Sequence, residues 1–195
     1  MPMSYVETQA DEVREGLKQL IGLRLVKCWN AFATRYFYFS DNFSDKATDE
    51  CCYTLDIECA WRITKDAAIL VGLDDYSLPA DDHSDPDWRV DMPTGHLQDQ
   101  KLRELLGEIR GGEIINTGSD FIAQSVEVDE YGGFRINLAG GYTLEVFPAS
   151  SNEMMWSLIR PGGGALGWTN GKGYKTEKWL KAELGGKESI PDEVS

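Results

Sequence analysis

Two periods organise the apolar positions of this chain, and the places where one gives way to the other mark its elements. Ala10, Val13, Leu17, Leu20 and Ile21 recur at helical spacing, the signature of a helix with one buried face. Ser4 and Glu7 stand ahead of them in the order of a capping box, and Gly22 supplies a stop. Residues 23–29 and 34–39 are rich in branched and aromatic side chains and read as two strands. The clearest pattern runs over residues 53–64. There Tyr53, Leu55, Ile57, Cys59, Trp61 and Ile63 alternate with Thr54, Asp56, Glu58, Ala60, Arg62 and Thr64, which predicts one long strand with a single buried face. Residues 68–73 follow as its partner.

Residues 74–95 carry no period. Leu97, Leu102, Leu105, Leu106 and Ile109 then predict a second helix, closed by Gly111-Gly112. Strands return at 113–116, 121–129, 134–138, 142–147 and 154–159, with Gly140-Gly141 as a hairpin signal between the third and fourth of these. Pro161 and the glycines at 162–164 break the pattern, and Thr176 could cap a short helix containing Trp179, Leu180 and Leu184. Hairpins between sequence neighbours favour an antiparallel meander, and helices that do not alternate with every strand favour α+β over α/β. The expected fold is therefore α+β: a meander sheet, curved or closing into a partly open barrel, with two or three helices on it. Residues 1–160 form one domain in this reading, and 161–195 a Gly-rich linker and short helix docked on the same domain.

Charge and cysteine content narrow the function. The 195 residues carry 19 Lys plus Arg against 33 Asp plus Glu, a formal charge of −14. Such a balance repels phosphate backbones and favours basic protein partners over nucleic acid. Uninterrupted apolar stretches such as 67–73 fall far short of the roughly 20 residues that span a bilayer, so no membrane association is expected. Met1-Pro2-Met3-Ser4 lacks the basic and apolar regions of a signal peptide, which predicts a cytoplasmic protein. Cys28, Cys51, Cys52 and Cys59 show neither C-x-x-C nor zinc-ligand spacing, and Asp49 and Glu50 beside the adjacent pair raise rather than lower a thiol pKa. No cofactor is implied.

Three groups of residues are candidates for a site. The first is the acidic stretch 74–91, where seven Asp meet one Arg. Within it Asp81, Asp82, Asp85, Asp87 and Asp91 surround Trp88 and form a candidate partner-binding surface. Oxygen clusters of this kind also hold Ca²⁺ or Mg²⁺. The EF-hand order fails, however: counted from Asp81, its sixth and twelfth positions hold Pro86 and Met92. The second group is a ligand pocket in the sheet, lined by Tyr53, Trp61 and Trp156, with Arg62 or Arg135 reading an anion. The third is the segment Lys172, Lys175, Lys178 and Lys181 with interleaved aromatics, expected either to dock on the acidic body or to form an oligomer contact. A P-loop ending at Lys172 is excluded by Leu166 and Gly173, and no G-x-S-x-G elbow is present.

Residues 53–63 (YTLDIECAWRI) with 69–74 (ILVGLD), and residues 141–148 (GYTLEVFP) with Glu153 and Trp156, carry a resemblance. They are similar to a group of small, uncharacterised bacterial proteins in which a strand ending in Trp-Arg leads to a Gly-x-x-Asp turn. Some of these resemble immunity proteins of bacterial toxin systems. The resemblance spans residues 20–160, brings no catalytic residues, and implies a bacterial cytoplasmic origin and a binding role. The leading expectation is thus a non-enzymatic, immunity-like protein that binds a basic macromolecule. The alternatives are a small-ligand protein or enzyme with a pocket in the sheet, and divalent-metal binding by the Asp-rich loop.

Overall fold

The period-two stretches form strands whose alternating side chains meet in a main core between two antiparallel sheets, with a smaller cluster of Val26, Tyr38 and Cys52 apart from it. The computed structural model describes residues 5–32, 34–41, 51–81, 87, 89, 90, 95–150, 154–169 and 173–175. In chain order these hold α1 (Tyr5–Leu17), β1 (Arg24–Ala31), β2 (Thr34–Ser40), β3 (Tyr53–Ile57), β4 (Ala60–Lys65) and β5 (Ala68–Gly72). A 3-10 helix (Leu73–Ser77), α2 (Leu97–Leu106), β6 (Gly107–Arg110) and β7 (Glu113–Asn116) follow. The chain continues through β8 (Ala123–Val128), β9 (Phe134–Leu138), β10 (Tyr142–Phe147), β11 (Met154–Ile159), β12 (Ala165–Thr169) and β13 (Gly173–Lys175). The larger sheet has the order β13-β12-β11-β3-β2-β1-β7-β6, and the smaller β5-β4-β10-β9-β8.

The α+β class and the antiparallel pairing are as the sequence predicts, but one meander sheet is replaced by two sheets with crossovers. The predicted strand 53–64 is the pivot of that difference. It breaks at Glu58-Cys59, whose Glu58 N–H donates to the Met155 carbonyl at 3.0 Å, so β3 enters the larger sheet and β4 the smaller. Alternation survives the corner because both sheets turn the same side to the common core: Leu55, Ile57, Cys59, Trp61 and Ile63 are all buried. Edge-on ring contacts stitch the layers, Phe37 against Trp61 at 5.2 Å and Phe134 against Trp156 at 5.0 Å. Each helix packs between an edge of one sheet and an edge of the other. Val13 and Leu17 of α1 are buried, and that helix lies against β8 and β13; Leu102 and Leu106 anchor α2 against β5, β6 and β7.

The second helix is shorter than its apolar spacing implies. It ends at Leu106, and Ile109, half exposed, lies in β6 instead. Gly107 at φ 137 turns the chain out of the helix, and Gly111-Gly112, both at positive φ, close the β6–β7 hairpin rather than a helix. Capping by Ser4 and the helix around Trp179 lie outside the described residues. β12 and β13 extend the larger sheet beyond the turn at 160–164. No helix among the described residues is long and apolar enough to cross a membrane.

Among the described residues the most deeply buried charge is Arg35. Arg35 of β2 shares the inward face with Phe37 and Phe39 and is 1% exposed. Its Nη2 donates to Gln98 Oε1 and, at 2.8 Å, to Asp99 Oδ1, both on the first turn of α2. Gln98 in turn donates to the carbonyls of Gly72 and Leu73 at 2.7 and 3.2 Å, tying the end of β5 to the same helix. Removing one partner of such a pair leaves an uncompensated buried charge. Asp99→Asn is expected to destabilise the fold by about 3 kcal/mol in urea unfolding, and the double variant Arg35→Met with Asp99→Asn by less than Asp99→Asn alone.

Candidate functional site

The alternation that buries Trp61, Val146 and Phe134 turns their neighbours to the outer face of the smaller sheet. Register then lines up charges across four strands. Glu145 on β10 lies opposite Arg62 on β4 and Arg135 on β9, and Arg135 lies opposite Glu127 on β8. The result is a transverse row of alternating sign. Arg62 Nε donates to Glu145 Oε2 at 2.5 Å, while Arg135 Nε and Nη2 donate to Oε1 at 2.9 and 2.6 Å. Arg135 Nη1 reaches Glu127 Oε2 at 3.7 Å, and the Arg62 guanidinium lies over the Phe147 ring at 4.9 Å. Glu145 is 5% exposed. Burial alone would raise its pKa, but the hydrogen bonds and charges of the two arginines outweigh burial and hold it below the usual glutamate value.

The row ends at the β8–β9 loop, whose backbone is held from two sides. Asp129 N–H donates to the Gly133 carbonyl at 2.9 Å, and Asp129 Oδ1 accepts from the Tyr131 and Gly133 amides, each at 2.8 Å. From beneath, the buried Trp156 Nε1 donates to the Gly132 carbonyl at 2.8 Å. This leaves Tyr131 65% exposed at the tip and Phe147 40% exposed on the neighbouring face. Glu130 hydrogen-bonds the Tyr131 hydroxyl and raises its pKa. Between loop and row lies a cavity of about 220 Å³ lined by Glu127, Asp129, Gly133, Arg135, Glu145 and Phe147, among others. Besides Glu145, the carboxylates lining the cavity are Asp129 and Glu127, 64% of whose side chain is exposed and which also accepts from Asn137 Nδ2 at 3.3 Å.

The residues picked from sequence are distributed differently. Trp61 and Trp156 are core, 2% and 1% exposed, and Tyr53 packs on the core with its hydroxyl donating to Gln19 Oε1 at 3.0 Å. Arg62 and Arg135 do come together, but on the face opposite those tryptophans, around Glu145. Asp81 is exposed, with its amide held by Gln100 Oε1 at 2.7 Å, and Asp87 is exposed; Asp82, Asp85, Trp88 and Asp91 lie outside the described residues. The two ends of that acidic loop are clasped. Pro79 bridges His96, Ala80 N–H donates to the Gly95 carbonyl at 2.7 Å, and Leu97 N–H donates to the Leu78 carbonyl at 2.9 Å. His96 beneath the clasp is buried, stacked on Tyr76 at 4.1 Å. Among the described residues, no group of three or more His, Cys, Asp or Glu is placed to hold a metal.

Three of the four thiols are buried, and Cys51 is exposed. Burial pushes the thiols of Cys28 and Cys59 up to about 12 and that of Cys52 up to about 11. The residues sequence reasoning missed are Glu127, Asp129, Tyr131, Glu145 and Phe147. A two-residue turn at Gly140-Gly141 would set Glu145 opposite Ile136; the three-residue turn Ala139–Gly141 sets it opposite Arg135 instead.

Because the folded-state pKa of Glu145 lies below its unfolded value, its contribution is complete at neutral pH and is lost as pH falls through the folded value. Glu145→Gln is expected to cost about 1–2 kcal/mol at pH 7. That difference from wild type should shrink once pH drops beneath the usual glutamate range, as measured by thermal unfolding across pH. No family model matches this chain, and comparison with curated proteins and with solved structures returns no match.

Proposed function

We propose that this chain is a non-enzymatic binding protein that recognises a basic macromolecule through the tip of the β8–β9 hairpin. The observation that carries the reading is the pinned loop, which presents Tyr131 at its exposed tip, next to a cavity lined by Glu127, Asp129 and Phe147. Aromatic anchors ringed by charge are the arrangement that concentrates binding energy at protein interfaces, and an acidic rim speeds encounter with a basic partner. The cavity, at about 220 Å³, is smaller than the roughly 300–1,000 Å³ of pockets that engulf a small ligand. It suits one long basic side chain of a larger partner. Loop rigidity lowers the entropy lost on association. The formal charge of −14 extends the attraction beyond the site, and the immunity-protein resemblance agrees with a basic protein domain, such as a toxin domain, as the partner.

The Asp-rich loop offers a second acidic surface for the same kind of partner, its ends clasped at Pro79 and His96. Titration with a hexa-arginine peptide, followed by amide chemical shifts, separates the two. Shifts at Glu127, Asp129, Gly133 and Phe147 that vanish as salt rises, and a drop in affinity of roughly tenfold for Glu127→Lys with Tyr131→Ala, are expected. Shifts confined to 79–96 would transfer the reading to the loop, and the absence of any saturable shift at low salt would overturn it.

A further inference from the structure

The larger sheet ends in a strand whose free edge is complementary to itself. Among the described residues β6 pairs only with β7, in the register Gly107↔Asn116, Glu108↔Ile115, Ile109↔Ile114 and Arg110↔Glu113. Gly111 and Gly112, at φ 60 and 88, form a two-residue turn of the I′ kind, so the pair that flanks it, Arg110 and Glu113, exchanges hydrogen bonds. Strict alternation then makes Glu108–Ile115 the next hydrogen-bonded pair, and directs the peptide groups of Gly107 and Ile109 away from β7. The Gly107 N–H is taken by the Arg103 carbonyl at the end of α2. Ile109 is left with its N–H and C=O facing outward and its side chain 50% exposed.

We propose that this edge pairs with β6 of a second copy of the chain, antiparallel about a two-fold axis at Ile109. In that register the two Ile109 residues exchange both outward backbone bonds. Glu108 then stands opposite Arg110 of the second copy, and Arg110 opposite its Glu108, at the non-hydrogen-bonded positions where cross-strand side chains approach closest. Within one chain the same residues already meet, Arg110 Nε and Nη2 donating to Glu108 Oε2 at 2.9 and 2.7 Å, so both lie on one face of the strand. Pairing closes two such ion pairs into a ring of alternating charge. A parallel in-register approach would instead set Glu108 beside Glu108 and Arg110 beside Arg110. Charges on an edge strand ordinarily repel stray strands; this pattern admits its own antiparallel copy.

A four-residue edge buries far less than the roughly 1,200–2,000 Å² of a standard stable interface, so the dimer is weak and concentration-dependent. Sedimentation equilibrium of the full chain tests it. The expected result is a monomer–dimer equilibrium that weakens as salt rises. Glu108→Arg should raise the dissociation constant at least about tenfold, and the exchange Glu108→Arg with Arg110→Glu should restore it, because the symmetric register accepts either order. Ile109→Pro, which removes only an outward N–H, should abolish the dimer while circular dichroism reports an intact fold. A chain that stays monomeric at millimolar concentration overturns the proposal. So does a dimer that survives Ile109→Pro, or an exchanged pair that fails to recover association.

Discussion

A guanidinium cannot be left unanswered inside a protein; burying it without a counter-charge costs several kcal/mol. Arg35 faces the core from β2, and its answer comes from α2, more than sixty residues further along the chain. That one requirement fixes where α2 lies. Gln98 carries the constraint on to the end of β5, and Lys101, on the same helix, holds Asp75 of the 3-10 helix at 2.7 Å. The base of the acidic loop, the short hairpin β6–β7 and one edge of the smaller sheet are thereby positioned together. The apolar layers supply most of the folding energy, but they are non-directional. The Arg35 cluster says which way the second half of the molecule must face.

The outer face of the smaller sheet follows a related rule at lower cost. Its charges alternate in sign across β4, β10, β9 and β8, so each meets its opposite on the neighbouring strand. Glu145 is the hub, and its two arginines are spent on it. Across the row the two arginines balance Glu145 and Glu127, so the sign of the outward charge is set by Asp129 and Glu130 of the adjoining loop. This is why two arginines placed together favour a basic partner in our reading rather than the anion that Arg62 and Arg135 suggest when considered alone.

Element positions were largely legible because burial imposes its period on the sequence whatever the surroundings. The strands around Phe37, Ile136 and Leu144 and the helix face at Val13 and Leu17 are of this kind. Sheet membership was not legible. Alternation from Tyr53 to Ile63 reports which side chains are buried but not against which layer, and a corner at Glu58-Cys59 leaves the period untouched. Ile109 misled for a different reason: an apolar residue at helical spacing can also sit on an exposed edge, and only the backbone at Gly107 distinguishes the two. Of the site, Arg62 and Arg135 could be picked from the chain, whereas the tip of the β8–β9 loop depends on a bond from Trp156, distant in sequence, that no local pattern encodes.

That bond ties the exposed tip to the innermost packing. Trp156 is wedged against Phe134 and holds Gly132 in place, so the loop backbone has no freedom to rearrange apart from the sandwich beneath it. Evolution of a new contact preference at this spot would have to proceed through side-chain exchange at Glu130 and Tyr131 on an unchanged scaffold, since reshaping the peptide trace would demand compensating repair deep in the interior.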